Sequence, residues 1–210
     1  MKNVNFVIFL FVTFCILLPT SIIAVLPGTW PALNVPPPAN ANYTKLVDAT
    51  KLRNAPVNKV NSTACAATDT YCYWTCTLCT RNDTDVVRCP NKLDWGLTLD
   101  DGPTLGLFRH SKYQSHQIGV HTWSHTALTT QTTETVIAEL MYTADAIKAA
   151  LNVTPKYMRP PFGDYDDRIR DISTQLGMKP TIWDLDTNDW LSADDPTFQI
   201  SWVTANFTQW

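Results

Sequence analysis

The chain has 210 residues, with 19 acidic against 16 basic side chains and a formal net charge of −3. At 45% apolar and 17% charged residues, it is too apolar and too weakly charged for a disordered protein. It lacks the excess of Lys and Arg that nucleic-acid-binding domains need. After residue 30 no apolar run reaches the about 18 residues that cross a bilayer. We therefore expect a folded protein that binds no nucleic acid.

Residues 1–24 have the pattern of a secretory signal peptide. Lys2 provides a short basic start, an apolar run extends from Phe6 to Leu18, and small residues lead up to Ala24. We predict cleavage after Ala24, no membrane span after removal of this segment, and export to the extracellular space, the cell wall or the periplasmic space. An uncleaved N-terminal anchor is the alternative, for which the apolar run is short. The remaining chain is long enough for one domain with a core.

Sequons and cysteines agree with a secretory route. Five N-x-[ST] sequons predict glycosylation at Asn42, Asn61, Asn82, Asn152 and Asn206. Five cysteines of the mature chain are predicted disulfide partners: Cys65, Cys72, Cys76, Cys79 and Cys89. Because five is an odd number, one cysteine is free, lacks its partner or pairs with another chain. A zinc knuckle is the alternative reading of the C-x3-C-x2-C pattern.

The mature chain divides into three segments by composition. Residues 25–61 are rich in proline and weakly periodic, which predicts an extended arm and not a core element. Residues 62–90 contain the cysteines and are predicted to be rich in loops. Residues 91–210 alternate short apolar runs with helical periodicity, so we expect the folded domain there.

Strands and helices alternate in this last segment. The four predicted strands are Trp95–Leu99, Gln117–Val120, Lys156–Met158 and Pro180–Trp183. Apolar residues at spacings of 3 and 4 predict a helix at Thr132–Leu151, with Val136, Leu140, Ala144, Ile147 and Leu151 on its buried face. A second helix is predicted at Asp167–Leu176, ending before Gly177. This alternation indicates the α/β class, with a mainly parallel sheet or barrel.

A polar cluster follows each predicted strand. The four clusters are Asp100–Pro103, His121–His125, Arg159–Phe162 and Asp184–Trp190. Because the active sites of α/β folds form at the carboxyl ends of the strands, we expect the four clusters to share one site.

The residue types in these clusters indicate a metal site with a carboxylate base beside it. His121 and His125 are spaced i, i+4, so a helical turn would point both imidazoles the same way. Two histidines and one carboxylate make a metal site with open positions; ordinary hydrogen bonding is the alternative. Asp100 and Asp101 are adjacent and point apart on an extended backbone, which favours one as metal ligand and the other as base, although an Asp-Gly turn is the alternative. Arg159 is suited to holding a carboxylate, in the site or in a structural ion pair.

Other side chains in the clusters have two readings. The aromatic faces of Trp123, Phe162 and Trp190 are suited to lining a sugar-binding cleft, or they are ordinary core aromatics. Asp186 and Asp189 contribute to the site or cap a local turn.

Four motifs occur in an order that marks a known family. Thr98–Pro103 resembles the TFDDGP motif, His121–His125 the H-[ST]-x-x-H motif, Arg159–Phe162 the R-x-P-[FY] motif and Asp186–Trp190 the D-x-x-D-W motif of the polysaccharide deacetylases, the carbohydrate esterase family 4 with its NodB-like domain. The stretch Cys-Pro-Asn-Lys-Leu-Asp-Trp-Gly and the proline-rich secreted N-terminus are most similar to fungal chitin deacetylases. The resemblance covers about residues 63–210.

The resemblance implies a fold, a reaction and a metal. The fold would be a distorted (β/α) barrel, and residues 91–210 a partial copy of it. The reaction would be hydrolysis of the N-acetyl group of N-acetylglucosamine residues in chitin or its oligosaccharides, by a monomer. The cofactor would be a divalent cation, most often Zn²⁺, with Co²⁺ or Mn²⁺ as alternatives.

The same resemblance implies the roles of single residues. Asp100 would be the general base, positioned by Arg159, and Asp189 would tune the general acid. The metal ligands would be Asp101, His121 and His125. The substrate groove would be lined by Pro161, Phe162 and Trp190.

The sequence departs from the family pattern in three places. Only Thr104–Ser115 stands where the family has a helix, a buried strand and a second helix, so we expect a barrel that lacks one inner strand. The L-x-x-H-D motif, which supplies the general acid, does not occur before Trp210; loss of such an acid lowers the rate by on the order of 10²–10⁴. Leu99 replaces an aromatic residue, with a mild effect expected.

Three hypotheses follow from motifs and departures together. The first, which we favour, is an incomplete form of a secreted, metal-dependent chitin deacetylase. The second is a non-catalytic chitin-binding or cell-wall pseudoenzyme. The third is a chain that fails to fold, because a missing inner strand exposes sheet edges.

Overall fold

The computed structural model describes residues 28–59, 65, 68–91, 94–100 and 117–209. The predicted signal peptide, Asn61, Asp101 and Thr104–Ser115 lie outside these ranges. The helices are α1 Ala41–Thr44, α2 Trp74–Thr77, α3 Thr133–Leu151, α4 Asp167–Gln175, α5 Leu191–Asp194 and α6 Ile200–Gln209. Short 3₁₀ turns occur at Ala49–Lys51, Leu128–Thr130 and Pro161–Gly163. Within the described ranges no helix combines the length and apolar character needed to cross a membrane.

Parallel backbone pairing forms the centre of the described fold. Strand β1 (Tyr157–Met158) pairs in parallel with strand β2 (Lys179–Pro180). Single parallel bridges add Val120 beside Met158 on one side and Val86 beside Thr181 on the other. The chain thus runs in the same direction through all four segments, as predicted for an α/β fold.

The two predicted long helices are confirmed to within a residue at their start. Helix α3 begins after Thr132, whose side chain accepts a hydrogen bond from the Thr135 amide, and ends at Asn152 in the left-handed conformation. The predicted apolar stripe of α3 packs into the core, with Leu151 at its half-buried end. Helix α4 begins after Asp166, whose carboxylate accepts from the Ile169 amide, a typical N-cap.

The predicted strands are only partly confirmed. Residues 94–100 are described without strand structure and are exposed, with Leu97 at 74% and Leu99 at 81%. Only Val120 of the predicted strand Gln117–Val120 makes a bridge. A strand needs a paired neighbour as well as an apolar pattern, and no described segment pairs with residues 94–100.

The proline-rich segment contributes to the core, contrary to prediction. Val47 belongs to the buried apolar cluster, and Tyr43 and Leu52 pack against it. The Tyr43 hydroxyl donates to Asp145 on helix α3 at 2.5 Å. The segment forms short helices. The Asn40 side chain caps the first of them, α1, by accepting from the Asn42 amide. The segment predicted to be an extended arm is therefore folded and packs against helix α3.

Four of the five predicted disulfide partners are paired. Cys65 is bonded to Cys76, and Cys72 is bonded to Cys79, while Cys89 is a free, half-buried thiol. The zinc-knuckle alternative is wrong, because its cysteines form these disulfides. Disulfides of this kind are typical of proteins that fold in oxidising compartments.

A buried ion pair joins helix α4 to the cysteine-rich segment. Arg170 and Asp85 are both fully buried, with the Arg170 Nε 3.0 Å from each carboxylate oxygen. The guanidinium also donates to the carbonyls of Cys72 at 2.6 Å and Cys79 at 2.9 Å, at both ends of one disulfide. The Tyr165 hydroxyl donates to Asp85 at 2.9 Å, and burial raises the pKa of Tyr165 above its usual value, with the Asp85 charge as the second cause. These bonds satisfy the buried charges, as burial requires.

Candidate active site

The parallel pairing brings His121 and Arg159 side by side at the carboxyl ends of two segments. The Arg159 amide donates to the Val120 carbonyl at 2.8 Å. The His121 Nδ1 lies 2.9 Å from the Arg159 carbonyl oxygen. Because a carbonyl only accepts, Nδ1 carries the proton of this bond, and the lone pair of the neutral ring is on Nε2.

Arg159 also holds the aspartate of the first motif. Its Nη1 donates to the Asp100 Oδ1 at 2.6 Å and to the Thr98 Oγ1 at 2.8 Å. Its Nε donates to the Thr181 carbonyl at 3.3 Å. This bond fixes the guanidinium next to the residue that follows strand β2. The side chain of Arg159 is 12% exposed and that of Asp100 is 36% exposed. The Asp100 carboxylate is therefore accessible to water. The structure thus joins the first and third motifs.

The two histidines come together through residues 121–125, a non-helical turn that we call the histidine turn. The ring centroids of His121 and His125 lie 5.0 Å apart, but the prediction of a helical turn is wrong. Thr122 has φ 67° and His125 has φ 55°, in the left-handed region that non-glycine residues seldom adopt. The Thr122 Oγ1 accepts from the His125 amide at 3.1 Å and closes this turn.

An aromatic side chain lies against the second histidine. The Phe162 ring packs edge-on against His125 with centroids 4.8 Å apart, and Phe162 is 62% exposed. Phe162 itself has φ 61°. Pro161, predicted to line the groove, is buried. The Pro161–Gly163 turn thus presents one exposed aromatic face next to the histidines.

Hydrogen bonds to Asp164 fix the end of the Pro161–Gly163 turn. Asp164 is buried and accepts from the Thr129 amide at 2.8 Å and from the Tyr73 hydroxyl at 2.5 Å. Burial, and next the bond to Asp164, raise the pKa of Tyr73. Tyr73 therefore remains a neutral donor at physiological pH and keeps the Asp164 carboxylate in place.

Gly163 is required where the turn meets two tryptophans. It has φ +64°, and a Cβ there would overlap the ring of Trp74. Trp74 packs edge-on against Trp183 at 4.9 Å, and the Arg159 guanidinium lies 5.9 Å from the Trp183 ring. A side chain at position 163 would therefore disturb the support of Arg159.

We predict that Gly163→Ala lowers the free energy of unfolding by about 2–4 kcal/mol, from overpacking together with left-handed strain. Urea unfolding followed by tryptophan fluorescence measures it. Gly177→Ala is the matched control, because Gly177 has φ +78° with open space around its Cβ position and should cost only the strain of about 1–2 kcal/mol. Equal losses in both variants would contradict the packing argument.

The fourth motif forms a local turn. Asp186 accepts from the Asn188 amide at 2.8 Å, and the Thr187 hydroxyl donates to Asp189 at 2.5 Å. Both bonds stay within four residues, which is the turn-capping alternative. Trp190 is 57% exposed. The described contacts do not join Asp189 to Arg159 or to the histidines.

Trp123 does not line a cleft. It is 4% exposed, and its ring stacks on Trp30 with centroids 5.8 Å apart. Its indole Nε1 donates to the Ala32 carbonyl at 2.9 Å. The core-aromatic reading is the correct one, and the N-terminal segment contacts the histidine turn through this side chain.

Three of the predicted sequons have exposed asparagines: Asn42, Asn82 and Asn152. Asn206 is half-buried, and its side-chain amide donates to the carbonyls of Asp186 at 3.4 Å and Thr187 at 3.1 Å. A glycan on Asn206 would have to break these bonds.

The sequence analysis gave no role to Thr98, which it named only as part of a motif, and it missed Glu139 altogether. Thr98 shares the Arg159 guanidinium with Asp100, and Glu139 on helix α3 accepts hydrogen bonds from the histidine turn. The signal for Glu139 was a charged residue in line with Thr143 and Ala146, small residues that pack a second buried face of α3. In the part of the chain that the structure describes, no three His, Cys, Asp or Glu side chains are grouped to hold a metal ion; Asp101 lies outside that part.

Comparison with known proteins identifies sequence relatives. The protein-family model for polysaccharide deacetylase matches residues 105–181. Chitin deacetylase 1 of Cryptococcus neoformans var. grubii is 40% identical over 218 residues, covering 82% of this chain and 46% of its own. The chitin deacetylase of Amylomyces rouxii is 41% identical over 159 residues, covering 59% of this chain and 38% of its own. The chain therefore spans less than half the length of these curated relatives.

Among solved structures, the family 4 carbohydrate esterase from Streptomyces lividans in complex with acetate is 25% identical. It superposes with a TM-score of 0.43, over 48% of this chain and 50% of its own.

Proposed function

We propose that this chain is a member of the polysaccharide deacetylase family and that it hydrolyses the N-acetyl groups of N-acetylglucosamine residues in chitin with the help of a divalent cation. The observation that carries the proposal is the contact of Arg159 with Asp100 at 2.6 Å, directly beside His121. The named sequence relatives are chitin deacetylases, which supports chitin as the polymer.

The donor chemistry of the site fits a divalent cation. The imidazoles of His121 and His125 lie 5.0 Å apart between centroids. The Arg159 carbonyl sets the tautomer of His121, the usual way in which an outer contact orients a metal-binding histidine. Nitrogen and carboxylate ligands suit zinc, with cobalt and manganese as alternatives. We propose His121, His125 and Asp101 as the protein ligands, with Asp101 assigned from its motif alone.

The proposed mechanism assigns separate tasks to the residues of the site. A divalent cation held by His121, His125 and Asp101 would supply Lewis-acid chemistry toward the acetamide carbonyl and a water molecule. Asp100 accepts the proton of the attacking water as general base. Arg159 holds Asp100 in one orientation through Oδ1. The leaving amine must gain a proton from a general acid, which Asp189 is proposed to tune.

Exposed aromatic rings support a sugar-binding role for this edge of the fold. Phe162 and Trp190 are both more than half exposed, and Phe162 lies against His125. We propose that they line the substrate groove, where ring faces pack on the apolar faces of sugars. Pro161 is buried and would act by shaping the turn that presents Phe162.

We further propose that the barrel of this chain lacks an internal segment. The alignment with the Cryptococcus neoformans relative runs over 218 residues although it covers only 82% of this 210-residue chain. The relative therefore has residues inside the aligned region that this chain lacks. The short stretch Thr104–Ser115 is the proposed position. Sequencing the transcript through its codons tests this: additional coding sequence there would overturn the proposal.

Secretion, N-glycosylation and a monomeric state remain part of the proposed function. The two disulfides support an oxidising compartment. We expect removal of N-glycans from the secreted protein to lower its mass, with Asn42, Asn82 and Asn152 as the occupied sites in peptide mapping. A protein without glycans at these three sites would contradict the proposed secretory route.

Acetate release tests the proposed reaction directly. The full chain loaded with Zn²⁺ is incubated with chitin oligosaccharides, and free acetate is measured enzymatically. We expect release that stops when a chelator is added and resumes when zinc is restored. A rate insensitive to the chelator would overturn the role of the metal. Binding to chitin without acetate release would overturn the catalytic proposal and identify a chitin-binding protein.

A further inference from the structure

Glu139 is a fully buried carboxylate of helix α3 that faces the histidine turn. Its Oε2 accepts from the Trp123 amide at 2.7 Å and from the Ser124 amide at 2.9 Å. Its Oε1 accepts from the Ser124 hydroxyl and, at 3.4 Å, from the Thr126 hydroxyl. Both oxygens are therefore bonded to residues between or next to the two histidines.

The turn that Glu139 binds has an unfavourable backbone conformation. Thr122 and His125 both have left-handed φ values, which are unfavourable for non-glycine residues and persist only where surrounding contacts fix them. Glu139 binds the two consecutive amides between these residues. An ionised carboxylate forms bonds about twice as strong as neutral acceptors do, so Glu139 is well suited to hold the turn.

The two histidines are otherwise fixed by different elements. His121 follows the bridge between Val120 and Met158 and is held through Nδ1 by the Arg159 carbonyl. His125 is reached only after the turn and contacts Phe162. The relative position of the two rings therefore depends on the conformation of residues 122–124, which Glu139 sets.

Glu139 is not placed to act as a ligand or as an acid or base. It has no solvent exposure, and its acceptor positions are directed at the turn. Its effect on the site must pass through the backbone of Trp123 and Ser124.

We propose that Glu139 is a positioning residue that fixes the separation of His121 and His125 and thereby sets the affinity of the site for a divalent cation. This inference rests on the proposed function for its metal, but its structural part, the hold on the turn, does not.

The first measurement is zinc affinity of the full chain by competition with a chromophoric chelator. Glu139→Gln removes the charge but keeps the size of the side chain. Because the size is kept, the variant should fold. We expect its Kd for Zn²⁺ to rise about 10-fold or more, within the 10–100-fold range of outer contacts to metal ligands. Glu139→Leu removes all acceptors and should approach the upper end of that range.

Ile147→Val is the matched control. Ile147 is 2% exposed on the same helix, two turns beyond Glu139, and this change removes only one buried methyl group. We expect its zinc Kd to stay within about twofold of wild type. A folded Glu139→Gln chain with a wild-type Kd, or an Ile147→Val chain weakened as much, would overturn the proposal.

Amide hydrogen exchange provides a readout that needs no metal. In Glu139→Gln, we expect the amides of Trp123 and Ser124 to lose protection while those of helix α3 beyond residue 143 keep theirs. Unchanged protection at both amides would overturn the role of Glu139. If wild type binds no zinc, the proposed metal chemistry fails, and exchange alone then decides whether Glu139 holds the turn.

Discussion

Asp100→Asn should lower kcat/KM for acetate release from chitin oligosaccharides by about 10²–10⁴. Asparagine has the same size and still accepts a hydrogen bond from Arg159, so the fold and the contact at Nη1 should remain. The amide cannot take a proton from the attacking water. Steady-state acetate assays over a range of substrate concentrations measure the effect, and zinc affinity should stay unchanged.

Asp184→Asn is the matched control for this variant. Asp184 also follows a parallel segment and faces an arginine, but it is 55% exposed and its oxygen lies 3.8 Å from Arg88. Such exposed pairs contribute little, so we expect activity within about twofold of wild type. An Asp100→Asn chain that retains wild-type kcat/KM would contradict the assignment of Asp100 as base.

Arg170→Met should lower the free energy of unfolding by about 3–5 kcal/mol, because it leaves the fully buried Asp85 carboxylate without its counter-charge. Two carbonyls of the cysteine-rich segment also lose their donor. The segment should detach first, since Arg170 links it to helix α4. Urea unfolding with the disulfides intact measures the loss.

Two further variants separate charge burial from general damage at this site. Arg88→Met removes an exposed guanidinium and should change stability by less than about 0.5 kcal/mol. Replacing both partners, in Arg170→Met with Asp85→Leu, should recover part of the loss, since no buried charge then lacks a partner. If Arg170→Met is as stable as Arg88→Met, the buried pair does not anchor the segment.

Apolar periodicity predicted both long helices, because this signal lies within one stretch of sequence; their N-caps were found in the structure. Helix α3 has its apolar stripe and its Thr132 cap within one stretch of sequence, and helix α4 has its Asp166 cap and apolar face in the same way. The strands were harder to predict, because pairing depends on partners far along the chain. Val86, for example, joins Thr181 only through tertiary structure.

The candidate site was predictable where residues directly follow a parallel segment. His121 and Arg159 are neighbours because Val120 and Met158 are paired. The geometry of the histidine turn was not predictable from i, i+4 spacing, because tertiary bonds to Glu139 stabilise backbone angles that local preference disfavours. Asp101 lies outside the described residues, so its role remains a prediction.

X-ray absorption at the zinc edge of the zinc-loaded full chain identifies the atoms that bind the cation. We expect one tightly bound zinc with two imidazole nitrogens at about 2.0–2.1 Å and oxygen ligands in its other positions. Replacing His121 or His125 with alanine should remove one imidazole from this shell. A zinc shell without imidazoles, or with sulfur at about 2.3 Å, would contradict the proposed ligand set.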